Sequence, residues 1–164
     1  MNPAANFMPA VLPAAAIKEG LDMAGLMNLH YEVDGDDFTR AGETSSKVKK
    51  TLTQLGFKPE IVRNVAIAMY EGEINMVIHA YGGTINVDIS SDEIVIVMSD
   101  NGPGIPDINK AMQEGYSTAS SNVRELGFGA GMGLPNMKKY SDNMEINTEI
   151  GKGTVVTLTI SAKG

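Results

Sequence analysis

Glycine falls in two short clusters in the C-terminal half of this chain, Asp100-Asn101-Gly102-Pro103-Gly104-Ile105-Pro106-Asp107 and Gly127-Phe128-Gly129-Ala130-Gly131-Met132-Gly133-Leu134. Glycine weakens the interior of a helix or strand, and proline cannot continue either. Both clusters therefore mark the ends of elements, and regular structure must lie before, between and after them. The run Ile94-Val95-Ile96-Val97-Met98, which leads into the first cluster, is apolar throughout and reads as a buried strand. Residues 114–126 are polar, with Ser117, Thr118, Ser120 and Ser121 and no periodicity, so a mobile loop is expected there.

The remaining elements follow around these points. Leu29-His30-Tyr31-Glu32-Val33 alternates as a short strand does. Residues 39–55 place Val48, Leu52 and Leu55 on one face of a helix that Gly56 stops. Pro59 suits the first turn of a longer helix to residue 80, with Ile61, Val65, Met69, Ile74, Val77 and Ile78 as its apolar stripe and Gly82-Gly83 as its end. Strands at 84–90 and 93–99 have only Ser91-Asp92 between them, the spacing of a tight hairpin. Short helices are expected at 108–113 and 133–140, and strands at 144–150 and 153–161 form a second hairpin about Gly151-Lys152. The expected fold class is α/β in the α+β sense, a two-layer sandwich whose mixed, largely antiparallel sheet carries helices on one face.

At 164 residues, 43% of them hydrophobic and 20% charged, the chain suits one domain with a proper core. A net charge of -7, with no basic cluster beyond Lys47, Lys49 and Lys50, argues against a nucleic-acid partner. The lack of cysteine excludes disulfides, thiol nucleophiles and thiolate metal sites. Residues 1–26 are rich in Ala, Pro and Met, with no basic start and an apolar run broken by Pro3, Pro9 and Pro13. Neither a secretory leader nor a membrane span is expected, and a cytoplasmic location is. This stretch reads as a poorly structured extension or a docking arm, with translation from Met23 or Met27 as an alternative start; residues 27–164 form the domain.

Three groups of residues carry chemistry. Glu71 and Asn75 are four apart, on one face of the long helix. Asn75 offers a neutral oxygen to Mg2+, and Glu71 can take a proton from a group attacking a phosphoryl centre. Glu73, two residues from Asn75, points elsewhere. Gly72 costs this helix about 1 kcal/mol relative to alanine, so a close approach is expected there. Asp100, at a strand end before Gly102 and Gly104, can accept a hydrogen bond from the exocyclic amine of adenine, the two glycines supplying positive φ and room for the base. Gly127, Gly129, Gly131 and Gly133 alternate ahead of a helix and expose successive N–H groups, an anion cradle. It is neither a Walker A loop nor a dinucleotide fingerprint, since no Lys-Ser/Thr follows and no strand precedes it. Taken singly, each group has a plainer account: an exposed Glu and Asn, a good turn, a glycine hinge. In this order they describe one site for ATP. His79, one turn beyond Asn75, reads either as a neighbour of the metal or as a cationic cap on the helix C-terminus.

The ordered motifs resemble the GHKL (Bergerat-fold) ATPases: histidine-kinase catalytic domains, gyrase-type ATPases, the Hsp90 class and bacterial anti-sigma serine kinases. Glu71-Gly72-Glu73-Ile74-Asn75 is similar to the family's Asn-bearing helix, residues 100–104 to its first glycine box and residues 127–134 to its second. Gly151-Lys152-Gly153-Thr154 resembles its closing turn, where the threonine helps hold the adenine end. The resemblance covers about residues 29–161 and implies a Bergerat-type sheet. Small size, Glu four before Asn, and the wording Gly115-Tyr116-Ser117-Thr118-Ala119 are most similar to the anti-sigma and switch-kinase group. That implies a Mg-ATP-dependent serine/threonine protein kinase acting on a small STAS-domain protein. Glu71 is then the catalytic base, Asn75 the Mg2+ ligand, Asp100 the reader of adenine and the second glycine box the triphosphate site. A nucleotide-gated anti-sigma factor holding a sigma factor, or an ATP-binding regulatory module without phosphotransfer, remain alternatives, and relatives imply a homodimer. In one respect the chain departs from the pattern: where the switch-kinase group carries lysines directly after the Ser-Thr of its lid loop, this chain has Ala119-Ser120-Ser121-Asn122-Val123 and then a single cation, Arg124. Arg124 reads as a γ-phosphate clamp, a contact to the protein substrate, or a solvated loop arginine.

Overall fold

Alternation along a strand sends successive side chains to opposite faces, and in an antiparallel sheet register partners share a face. The computed structural model describes residues 26–117 and 132–163. In order these form β1 (Met27–Asp34), α1 (Glu43–Gln54), α2 (Pro59–His79), β2 (Gly82–Ile89), β3 (Glu93–Asp100), α3 (Ile108–Ala111), α4 (Gly133–Lys139), β4 (Asn143–Glu149) and β5 (Gly153–Ser161). The strands lie in the order β1-β2-β3-β5-β4, and all four pairings are antiparallel, so the mixed pairing that the sequence allowed for does not occur among the described residues.

Register turns the alternation into rows. Met27-Ile89-Ile94-Ile160, Leu29-Val87-Ile96-Leu158-Met144 and Tyr31-Ile85-Met98-Val156-Ile146 run across one face. Helix α2 crosses this face, with α1 and α4 packed against it. Val48 and Leu52 of α1, Val65 and Met69 of α2 and Met137 of α4 are buried in the shared core, each large side chain contributing about 1.5–3 kcal/mol. The opposite face is polar along its β1 edge, where His30 Nδ1 meets Asn86 Oδ1 at 2.6 Å. The fourth row on the covered face changes character: Val33-Gly83-Asp100-Thr154-Thr148. Polar groups thus enter the covered face only at one end of the sheet.

Several boundaries differ from the sequence reading, each for a physical reason. Helix α1 starts at Glu43 rather than residue 39, because Gly42 takes a left-handed φ of 90° and interrupts the chain there. Strand β2 opens at Gly82, two residues before the expected start at 84, so Gly82 and Gly83 are paired in the ladder; a Cβ on Gly82 would stand 2.1 Å from the Val33 carbonyl oxygen across it. Helix α3 is shorter than expected, ending at Ala111, and is capped by Asp107 Oδ1, which accepts from Lys110 N at 3.1 Å. In the closing hairpin Glu149 pairs with Gly153, so three residues, not two, make the turn. A two-residue turn would have set Thr148 opposite Val155; the observed register sets it opposite Thr154. The expectations for residues 1–25 and for the loop at 118–126 lie outside the described residues. Among the described residues no helix is long and apolar enough to cross a membrane.

Candidate functional site

The polar fourth row anchors the first glycine turn. Asp100 closes β3, and its Oδ1 accepts from Gly102 N at 2.9 Å and from Thr154 N at 3.2 Å. The Thr154 and Thr148 hydroxyls hydrogen-bond at 2.9 Å, and Thr148 Oγ1 accepts from Ile105 N at 2.8 Å. The Pro103 carbonyl accepts from Gly151 N at 2.9 Å. The turn is thus tied to the β4–β5 hairpin at three points, and the Asp100 carboxylate is held by one oxygen. The two glycines act differently from each other. Gly104 has a φ of 81°, and a Cβ there would lie 2.6 Å from the Glu149 carbonyl oxygen. Gly102, expected to need positive φ as well, has none; it is small because a Cβ would meet Ala80 Cα at 2.7 Å.

Helix α2 supplies the opposite wall. Glu71, Asn75 and His79 recur every four residues and all line a cleft of about 400 Å³, which also meets Asp100, Gly104, Gly133 and Thr154. That volume is in the range of small-molecule sites. Helix α4 packs antiparallel to α2. A Cβ on Gly133 would stand 3.0 Å from Asn75 Nδ2, Met137 reaches Gly72, and Asn136 Nδ2 donates to Glu71 Oε1 at 3.0 Å. The close approach expected at Gly72 is real, but core side chains make it: a Cβ there would meet Met98 Sδ at 2.2 Å. Glu73 turns away from the cleft, as expected, and accepts from Thr44 N at 3.0 Å and Ser45 N at 2.9 Å at the start of α1. His79 is corrected. Burial holds its pKa below the ordinary 6.5, which favours the neutral imidazole over a cationic helix cap.

The structure brings Glu71, Asn75, Asp100, Gly102, Gly104, Gly133 and Thr154 to one end of the sheet. Arg124, Gly127, Gly129 and Gly131 lie outside the described residues. Sequence reasoning missed Thr148 and Asn136. Thr148 was legible only from the hairpin register, which the turn length decides. Asn136 follows Gly133 by three, one helical turn, and so shares its face toward α2. Among the described residues no group of three or more His, Cys, Asp or Glu side chains gathers to hold a metal.

Comparison with known proteins bears on this arrangement. Residues 60–164 match the family described as Histidine kinase-, DNA gyrase B-, and HSP90-like ATPase. The chain is 32% identical over 124 residues to the Serine/threonine-protein kinase RsbT of Bacillus subtilis (strain 168), covering 73% of this chain and 85% of that protein. It is 36% identical over 105 residues to the Anti-sigma F factor of Thermoanaerobacter sp. (strain X514), covering 61% of this chain and 70% of that one. A crystal structure of the RsbU and RsbW domains of Rv1364c from Mycobacterium tuberculosis matches with a TM-score of 0.52 at 18% identity, a likeness of fold alone. It covers 81% of this chain and 32% of that longer one.

Proposed function

Because this chain belongs to the histidine kinase-, DNA gyrase B- and HSP90-like ATPase family, we propose that it transfers the γ-phosphoryl group of ATP to a serine or threonine of a small STAS-domain protein. Within the family it is an ATP-binding protein of the anti-sigma, serine/threonine-kinase type. The acceptor, the cation and the residue roles are our reading. One observation carries it: Glu71 and Asn75 share a cleft with the Asp100–Thr154 pair, so a base and a nucleotide-holding end face the same space. A module that only bound nucleotide would have no use for the base.

In this reading the acceptor hydroxyl oxygen attacks the γ-phosphorus, Glu71 takes the hydroxyl proton, and the bond from the γ-phosphorus to the β-bridging oxygen breaks to release ADP. The free oxygen of Asp100 accepts from the adenine amine, while Thr154 holds the adjoining wall. Gly133 is assigned to the triphosphate together with Gly127, Gly129 and Gly131, and Arg124 to the γ-phosphate or the protein acceptor. The donor set fits Mg2+ that arrives with the triphosphate: Asn75 would supply one neutral oxygen to it. The chemistry such a cation would supply there is neutralisation of charge on the transferring group. The anti-sigma F relatives favour a second reading, nucleotide-gated sequestration of a sigma factor.

The test is transfer from labelled ATP with Mg2+ to small STAS-domain proteins of the same organism. Transfer that disappears in Glu71→Gln, with ATP affinity retained, is the expected result. A Glu71→Gln variant as active as wild type removes the assignment of the base. ATP binding with no transfer, and a sigma factor recovered in an ATP-dependent pull-down, supports the second reading instead.

A further inference from the structure

The register of α4 against α2 carries a further consequence for the reacting end of the cleft. We infer that Asn136 is a positioning residue for phosphoryl transfer, its side-chain amide fixing the Glu71 carboxylate and coupling it to α4. The inference rests on Glu71 being the base.

Glutamate has three rotatable side-chain bonds, and a half-buried one has several rotamers of similar energy. Glu71 is half-buried, and its carboxylate has one hydrogen-bond partner among the described residues: Asn136 Nδ2, 3.0 Å from Oε1. A charge-assisted bond of this kind selects one orientation. It also distinguishes the two oxygens. Oε1 is occupied, while Oε2 accepts no hydrogen bond among the described residues and is left to receive a proton.

The donor itself is held firmly. Asn136 N donates to the Met132 carbonyl at 2.9 Å, and its own carbonyl accepts from Tyr140 N at 3.0 Å, which fixes the Asn136 backbone within α4. Leu134 and Met137, 9% and 1% exposed, plant the helix on the core beside it. Those two anchors hold α4 in place without the Asn136 amide, so the amide is not needed to dock the helix. An amide orients the carboxylate without the full positive charge that a lysine would bring against a base. The same helix starts at Gly133, whose backbone lies against the Asn75 amide. One rigid element therefore touches both Glu71 and Asn75. A base misplaced by about 1 Å loses about 100-fold in rate, which is the scale on which such a contact acts.

The experiment measures kcat, KM for ATP and ATP affinity of the whole chain in the transfer assay, for wild type, Glu71→Gln, Asn136→Ala, Asn136→Asp, Asn136→Gln and the Glu71→Gln/Asn136→Ala double variant. Asn136→Ala is expected to lower kcat by about 10- to 100-fold with KM and ATP affinity unchanged. Asn136→Asp falls further, because two carboxylates then face each other, and Asn136→Gln recovers part of the rate by restoring the donor. In the Glu71→Gln background Asn136→Ala has no additional effect. An Asn136→Ala enzyme with wild-type kcat overturns the inference, as does an equal loss in both backgrounds or a loss shared by ATP affinity. In those cases wild type is active and Glu71→Gln is not, so the kinase reading stands. A wild-type chain that transfers nothing to any acceptor removes that reading, and this inference with it.

Discussion

Glu71 and Glu73 sit two residues apart on α2 and are expected to fail in opposite ways. Glu73 is 2% exposed, and each carboxylate oxygen accepts one backbone N–H from the first turn of α1, Thr44 at 3.0 Å and Ser45 at 2.9 Å. The residue before that helix is Gly42, which has no side chain to cap it, so a glutamate from the neighbouring helix performs the capping. Glu73→Gln keeps the shape and one acceptor but turns a donor toward the second N–H. Losing one charge-assisted bond costs about 1.5–3 kcal/mol, and losing negative charge at a helix N-terminus costs about 0.3–1 more. Relief of the buried charge's desolvation offsets part of this. The net expectation is about 2 kcal/mol for Glu73→Gln and, with both bonds gone, about 4 kcal/mol for Glu73→Ala. For a chain of this size each kcal/mol moves the midpoint by about 2–4 °C, giving falls of about 4–8 °C and 8–16 °C. Thermal and urea unfolding followed by circular dichroism, without nucleotide, reads this directly. ATP affinity and transfer by the folded fraction should be unchanged. A Glu73→Gln protein with an unaltered midpoint refutes the capping argument. One with intact stability and no transfer makes Glu73 the rival base.

Asp100→Asn keeps the oxygen that Gly102 N and Thr154 N use, so the unfolding midpoint should hardly move, but it replaces the free acceptor by a donor. ATP affinity measured by calorimetry should fall about 10- to 150-fold, the worth of a charge-assisted hydrogen bond, and unchanged affinity would contradict the adenine assignment. Gly104→Ala places a Cβ at a φ of 81° and 2.6 Å from the Glu149 carbonyl oxygen. It should cost at least about 1–2 kcal/mol in urea unfolding and weaken ATP binding as the turn shifts; a neutral result would show that the turn is not held against β4. Burial holds the His79 pKa below 6.5, so on acidification the unfolded chain takes up the proton first. The stability this residue contributes is present above about pH 6.5 and is lost below it. Urea midpoints from about pH 7 to pH 5 should therefore slope less steeply in His79→Gln than in wild type, and equal slopes would refute the neutral, half-buried imidazole.

Local pattern alone determined much of this protein. Period-two alternation and the Ser91-Asp92 spacing set the β2–β3 hairpin in its observed register, Ile89 opposite Ile94. Pro59 opened α2 where expected, and its four-residue spacing set Glu71 and Asn75 on one face. The apolar run into Asp100 ended β3 at that residue. These features depend on backbone periodicity and turn chemistry over a few residues, which any stretch of chain carries with it. What tertiary structure decided is which polar groups meet. Glu73 finds α1 across 28 and 29 residues, Thr148 finds Ile105 across 43, and Asn136 finds Glu71 across 65. Gly72 makes room for Met98, because the helix lies on the sheet at that point. A three-residue closing turn instead of two moved Thr148 onto the face of Thr154. A hydrogen bond's strength does not depend on how far apart its partners lie in sequence, so no local pattern marks them; the packing of α2 against the sheet, α1 and α4 selects them.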